Sequence, residues 1–504
     1  MAVAEEGGLP NLDMLHLDMD YKTEKEAFVT GMTGSTVGHI NLISCVAPVR
    51  GEHTVSVRDP ALSNERANVV AHSRLSLTSL DDNICQLACN SGPLYISPSP
   101  SPPASASPAP PSKMGPIPSF TTYRAHMLLM TCLAILAVDF PVFPRSLVKC
   151  ESFGVSLMDI GVGSFVFAQG IASAIPLIRT PSHLASPLPP KIFSAVRKSL
   201  PIIILGLIRV LLVKGTEYPE HVSEYGVHWN FFITLALVPI MEVLLHPLMI
   251  HMSVTAIGLV VAILQQFLLS KYHLSDYVLD APRLNVISAN KEGLVSLLGY
   301  FAVHLLGLTT GLLILPPSPS YFRRIQKSLR THTLNDKELT ERYAGRQNAK
   351  TATELSGYTV LWWSLMGLCR VFGLDGGNGV SRRMVNISYV FWICAYNVSF
   401  ILCYLLLDMV FFPSPSSKKK NIEQHSSSSL PPLSVSRMTP HPLLDAINKN
   451  GLVVFLLANV ATGVINLTIP TMYTSDFWAM VILCGYSYGI CVVAWVLRGM
   501  KLRL

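Results

Sequence analysis

Charge is what this sequence has least of. Asp, Glu, Lys and Arg make up 14% of its 504 residues, against 50% hydrophobic, whereas soluble domains carry roughly 25% charge. A chain this poor in charge reads as a polytopic membrane protein. Organised cysteine is missing too. The ten cysteines are scattered, only Cys85 and Cys89 stand close together, and no Cys or His cluster completes a metal set. No metal is expected, and packing thiols are the expected use. No charged-then-apolar signal opens the chain, so the first spanning helix is expected to act as the targeting signal. The net charge of +7 sits mostly in loops. That suits orientation in a membrane and excludes nucleic acid as a partner.

Long apolar runs are absent from the first 121 residues. These form a polar, largely disordered N-terminal region, with one short amphipathic motif at 21–41 and a mobile Pro/Ser/Ala linker at 97–118. Nothing in 49–118 approaches the ~20 apolar residues that a span requires. From 122 to 504 the character changes. Ten spans are expected, near 122–138, 157–178, 199–213, 228–245, 249–270, 294–315, 357–374, 386–413, 451–468 and 477–497. The fold class is therefore all-α, about ten transmembrane helices in one bundle. Two polar stretches, 316–356 and 414–450, read as solvated loops.

The stretch Ile135 to Gly170 organises the rest. An apolar run meets Asp139, and Pro141 and Pro144 then stop helix formation by fixing φ and removing donors. Arg145, Lys149 and Glu151 follow, and a second apolar segment starts at about Leu157 with Asp159 just inside it. Charges so near hydrocarbon are costly and are usually kept for a substrate path or for chemistry. The competing reading is a Pro-broken loop in which Asp139 and Lys149 merely pair with each other.

Three more polar strings open spans on the same side. They are Glu224-Tyr225-Gly226-Val227-His228-Trp229-Asn230, Ser288-Ala289-Asn290-Lys291-Glu292-Gly293, and Ser381-Arg382-Arg383. Helix starts expose unpaired N–H groups that attract anions. Taken singly, each is adequately explained as a capped helix end with interfacial Trp and Tyr. Four on one face point to a shared site. Arg209, Glu242, His304 and Asp408 read instead as interhelical partners, although a lone His304 in an apolar run also suits a membrane-bound O-acyltransferase.

The strings KEAFVTGMTGST, LAVDFPVFPRSLVKCESFGVSLMDIGVGSFVF, EYGVHWNFF, ANKEGLVSLLGY, VSRRMVNISYVFWI and LANVATGVINLTI closely resemble the inositol acyltransferases of GPI-anchor biosynthesis. The resemblance runs from about Tyr21 to Asn41 and from about Arg124 onward. It implies a multi-pass protein of the endoplasmic reticulum membrane that moves a palmitoyl chain from acyl-CoA, a co-substrate, to an inositol hydroxyl of glucosaminyl-phosphatidylinositol. No bound cofactor is expected, the surroundings are membrane lipids, and protein partners stay unknown. The family's proposed catalytic pair falls on Asp139 and Lys149. Asp139 can take a hydroxyl proton and Lys149 can balance its charge or steady the oxyanion, and the residues leave both assignments open. Glu224, Tyr225, His228, Trp229, Asn230, Asn290, Lys291, Glu292, Arg382, Arg383 and Asp159 are the expected substrate-binding set, with Lys291, Arg382 and Arg383 as phosphate anchors. A transporter or lipid flippase is the alternative, but the two halves show no internal repeat.

One departure stands out. The family carries about three more spans between its KEAFV and AVDF strings, where this chain is polar and Pro-rich. An odd number of missing helices would put Lys25 and Thr36 on the face opposite Asp139. The intact polar strings favour a faulty gene model for that interval over an inactive form.

Alternate loops differ in Lys and Arg, 20 on one side and 8 on the other. The positive-inside rule puts the richer set in the cytosol and Asp139 in the lumen. Glycosylation acceptors inserted near Pro219 or Ala281 should therefore be modified, and acceptors near Asn335 or Ser427 should stay bare. The reverse pattern would overturn this orientation.

Overall fold

The computed structural model describes residues 24–25, 27–53, 117–214, 222–331, 346–411 and 440–500. Every expected span is a helix. We label them α1 (Pro118–Ala137), α2 (Leu157–Arg179), α3 (Leu188–Lys214), α4 (Phe231–Leu244), α5 (Val254–Lys271), α6 (Lys291–Ile314), α7 (Asn348–Val371), α8 (Ile387–Phe411), α9 (Gly451–Thr468) and α10 (Asp476–Val496). Seven are long and apolar enough to cross a membrane by length and composition. The remaining three are α3 and α7, whose first halves are polar, and α4, which has only 14 residues. Among the described residues the single β pairing is an isolated bridge between Ser35 and Val155.

Local chemistry sets the helix ends. Pro118 fits the first turn of α1, where its missing N–H would be unpaired anyway, so the helix starts earlier than hydropathy suggests. Ser156 caps α2 by accepting from the Asp159 N–H, Asn230 caps α4 through Ile233, and Ser253 caps α5 through Ala256. Pro176, Pro201 and Pro239 lie inside helices, which membrane bundles tolerate because neighbouring groups satisfy the freed carbonyls.

The central helix is α6, buried over 89% of its apolar window, whereas the figures for α9 and α10 are 17% and 22%. Its closest partner is α2. Gly307 and Gly311 face the α2 backbone and Gly170 faces α6, so the chains approach where any side chain would intrude. A Cβ on Gly170 would stand 2.1 Å from the His304 carbonyl oxygen, and one on Gly307 2.3 Å from that of Phe167. Small residues at such crossings let dispersion and Cα–H contacts replace the hydrophobic drive that lipid removes. Around this pair, α5 and α8 pack on α6, α7 packs on α8, and α3 packs on α4. A second cluster joins α1, α9, α10 and the helix Pro442–Lys449 through Leu128, Leu136, Phe140, Ile447, Ala458 and Leu483.

The loop reading of 316–356 needs correction. It contains the helix Tyr321–Arg330, which buries Tyr321, Phe322, Ile325 and Leu329 on one face and keeps its arginines on the other. The first turns of α7 also begin inside it. The other polar stretch holds the helix Pro442–Lys449, with 414–439 outside the described residues. Most of the linker expected at 97–118 is likewise outside them, apart from Ile117 and Pro118.

Replacing Gly307 by Ala should destabilise the bundle by about 1–3 kcal/mol, because the obstacle is backbone and cannot rotate away. Gly463→Ala on α9, where the added methyl meets nothing within 4 Å, should be close to neutral. Thermal midpoints in detergent would separate the two, and equal effects would refute the close-packed crossing.

Candidate active site

The site is assembled at one end of the bundle, where α1, α9 and the turn at Val222–Tyr225 meet the starts of α2, α4, α6 and α8. Its frame is the segment after α1. The prolines free several carbonyls there, and Arg145 gathers them: its guanidinium donates to the carbonyls of Phe140 (2.7 Å), Phe143 (2.9 Å) and Val138 (3.1 Å). Its charge also lies 4.0 Å from the centre of the Phe28 ring. Burial lowers the Arg145 pKa from its usual value, and the nearby Asp139 charge opposes that shift.

Residues 24–36 close over this segment. Gly31 N–H donates to the Glu151 carboxylate, Glu151 N–H donates to Met32, and Ser35 N–H donates to Val155. Gly34, with φ +83°, lies so close that a Cβ would be 2.5 Å from the Val155 carbonyl oxygen. The left-handed backbone and the close approach both require glycine. Of the amphipathic motif expected at 21–41, residues 24–25 and 27–29 are helical, Gly31 follows at positive φ, and the last part of the motif opens the helix Val37–His53.

This docking places Lys25 at Asp139. Its Nζ is 3.6 Å from Asp139 Oδ1, and both side chains are about nine-tenths buried. Asn466 Nδ2 donates to Asp139 Oδ2 at 2.8 Å, while Lys25 donates to Asn466 Oδ1 at 3.2 Å and to Thr471 Oγ1 at 3.4 Å. The expectation that Lys25 lies on the face opposite Asp139 is thus overturned. Contacts of the motif with the 138–156 segment fix its side, and counting absent spans could not capture them. The pairing of Asp139 with Lys149 is corrected as well. Lys149 forms its ion pair with Glu224.

Glu224 leads into a second network. Arg382 lies 3.7 Å from Glu224 and donates through Nε to Asp159 Oδ1 at 2.7 Å. The other Asp159 oxygen accepts from Ser156 Oγ at 2.7 Å and from the Cys150 N–H at 3.1 Å. Asp159 is fully buried, and its charge therefore demands these partners. Burial lowers the Arg382 pKa, but Glu224 and Asp159 outweigh it, and the net shift is upward. Burial and the Asp159 charge push the Cys150 thiol up, well above its ordinary range. Tyr225 is buried alongside, and burial raises its hydroxyl to about 12.

A third group surrounds Glu292, which accepts from Arg283 and, at 3.0 Å, from Arg383. Two guanidinium groups on one carboxylate leave an excess positive charge. Val385, two residues on, has φ +47°, a conformation that costs a β-branched residue strain. Asn386 holds this turn by accepting from Ser381 N–H and donating to the Gly379 carbonyl.

Other expected site residues serve to shape the loops. Asn290 accepts from the His228 N–H at 2.8 Å, and Gly226, at φ +117°, packs against the Asn290 backbone. Asn230 caps α4 and donates to the Gly206 carbonyl; Trp229 donates to Thr234 and packs over Gly293. Lys291 donates to the carbonyls of Tyr277 and Ala281, so its ammonium is spent on a helix end and not offered as a phosphate anchor. Deeper in the bundle, His304 and Glu242 meet at 2.7 Å, the interhelical pairing expected of them. Lys25, Asn466 and Thr471 are absent from the expected set. Lys25 and Asn466 lie in the KEAFV and INLTI strings, which serve above only as family marks, while Thr471 lies two residues past the second string with no mark of its own.

A helical membrane bundle with one buried, ion-paired polar end is the class that these features define. The chain belongs to the GWT1 family, whose profile matches residues 21–497. It is 42% identical over 409 residues to GPI-anchored wall transfer protein 1 of Cryptococcus neoformans var. grubii, covering 77% of this chain and 63% of that relative. It thus spans less than two thirds of the length of the Cryptococcus proteins that it matches. Proteins of the same name from Emericella nidulans and Aspergillus fumigatus are 35% and 34% identical. Those matches cover 97% of this chain and 100% and 99% of the relatives.

Arg382→Ala would leave the Asp159 charge buried without its partner, at a cost of about 3–5 kcal/mol. Arg382→Lys should recover only part, since an ammonium lacks the planar fork. The double variant Asp159→Asn, Arg382→Met should be more stable than Arg382→Ala alone. Melting of the detergent-solubilised protein tests the order, and a neutral Arg382→Ala would refute it.

Proposed function

We propose that this protein is an acyltransferase of GPI-anchor biosynthesis in the endoplasmic reticulum membrane. It moves a fatty acyl chain, palmitoyl by family resemblance, from acyl-CoA to an inositol hydroxyl of glucosaminyl-phosphatidylinositol. Membership of the GWT1 family and relatives named GPI-anchored wall transfer protein 1 support the pathway. The observation that carries the reaction is the buried Asp139 carboxylate, held between Lys25 and Asn466 at a helix end. A phospholipid head group would lie at that level.

A sugar hydroxyl is a poor nucleophile until a base takes its proton. Asp139 accepts that proton as the hydroxyl oxygen bonds to the thioester carbonyl carbon. The carbonyl electrons move onto oxygen, and Lys149 steadies the oxyanion. When the intermediate collapses, the C–S bond breaks, and the thiolate of coenzyme A takes the proton back from Asp139. The products are the inositol ester and free thiol, with the base regenerated. Arg383 and Arg283, which exceed Glu292 by one charge, suit the phosphodiester of the acceptor. His228, Trp229 and Tyr225 shape the adjoining wall, and Asp159, Asn230, Asn290 and Lys291 hold the loops in register.

Membranes containing the protein, supplied with palmitoyl-CoA and glucosaminyl-phosphatidylinositol, should yield the acylated lipid. Asp139→Asn should lower the rate by about 10²–10⁴-fold at normal protein abundance, and Lys149→Ala should also abolish useful transfer. Abundance falling in parallel with activity would defeat the catalytic assignment. A transporter would leave the acceptor unmodified.

A further inference from the structure

We propose that Lys25 is the positioning residue of Asp139: the segment 24–36 is part of the catalytic machinery and carries the cation that holds this carboxylate in place and aimed. The inference rests on the acyltransferase reading above. Four observations support it. The two charges face each other at 3.6 Å in a largely dry setting, where opposite charges interact far more strongly than in water. The Lys25 ammonium is oriented by two side-chain oxygens, those of Asn466 and Thr471. Thr471 Oγ1 in turn donates to Asn466 Oδ1 at 3.2 Å, which leaves the Asn466 amide nitrogen to donate to Asp139. The segment is built in, through Glu151, Met32, Val155 and the Gly34 close approach.

Among the described residues, the groups facing Asp139 come from three elements. Residues 24–36 present Lys25, and α9 and the turn after it present Asn466 and Thr471. The loop that carries Asp139 presents Arg145, whose donors are turned to the carbonyls of Val138, Phe140 and Phe143. Lys149 is engaged with Glu224. Lys25 is accordingly the ion-pair partner of this carboxylate, and Asn466 fixes its second oxygen. During transfer the hydroxyl proton neutralises Asp139 and releases Lys25 from its partner. When the proton passes on to the thiolate, the ion pair re-forms and the base is reset.

The test measures kcat and KM for acyl transfer separately, with protein abundance alongside. A residue that aims the base acts on the chemical step and leaves substrate binding alone. Lys25→Gln keeps polar contact with Asn466 and removes only the charge. It should lower kcat by about 10-fold or more, with KM nearly unchanged. Lys25→Arg should restore most of kcat. A Lys25→Gln protein of normal abundance whose kcat matches wild type overturns the inference alone. A Lys25→Gln protein lost from the membrane and not rescued by Lys25→Arg also overturns it, as a purely structural role. Wild-type protein that leaves the acceptor unmodified overturns the acyltransferase reading, and the inference with it.

Discussion

The contact on which this bundle end depends is the ion pair between Asp159 and Arg382. Asp159 stands in the first turn of α2, where the helix dipole already favours an anion, and Arg382 arrives from the loop before α8. A fully buried carboxylate cannot be left with one bond, so the remaining oxygen captures Ser156 and the Cys150 amide. The cap of α2, the position of the 150–156 segment and the entry into α8 are thereby fixed together. Two further charges at this end are placed relative to that frame, Glu224 through Arg382 and Lys149 through Glu224.

Two sets of ion pairs result, with different surroundings. The set around Asp159, Glu224 and Glu292 joins loops between adjacent helices and is rich in arginine. Fixed forks hold geometry well and do not exchange protons near neutrality. The set around Asp139 uses one lysine, one asparagine and one threonine. Compact, rotatable donors of this kind permit a carboxylate to change its protonation state without dismantling its shell. A rigid frame next to a carboxylate held by movable donors is a division of labour that a group-transfer site can use.

Most of the architecture was legible because apolar runs near helix length carry their own signal. All ten expected spans fall on helices, seven of them long and apolar enough to cross a membrane, and the polar strings at their starts do meet at one end. The misses have physical causes. The helix Tyr321–Arg330 is averaged away in hydropathy, since its arginines outweigh four buried residues that only helical periodicity reveals. The early starts of α3 and α7 were hidden by charged first turns. Lys149 was matched to Asp139 by nearness in sequence, whereas the partner that the fold supplies comes from residues 24–36. Lys25 and Asn466 stand 441 positions apart, and no local pattern encodes such a contact. The ring of carbonyls around Arg145 is a case in between. The prolines announced a break, but only the fold shows which side chain repairs it.

The uneven burial of the helices sets the order in which the structure comes apart. Helix α6 is shielded almost throughout and locked to α2 backbone to backbone, while α9 and α10 face outward along most of their length. Local opening follows buried apolar contact, and the least enclosed elements open at the lowest free energy. The α9–α10 hairpin is thus the earliest part to loosen on warming or in harsh detergent, and it takes Asn466 and Thr471 with it. Asp139 loses its neutral hydrogen-bond donor while the α2–α6 core and its arginine frame are still intact. Solubilised preparations can therefore keep their fold, as judged by helix content, well after the setting of that one carboxylate has gone.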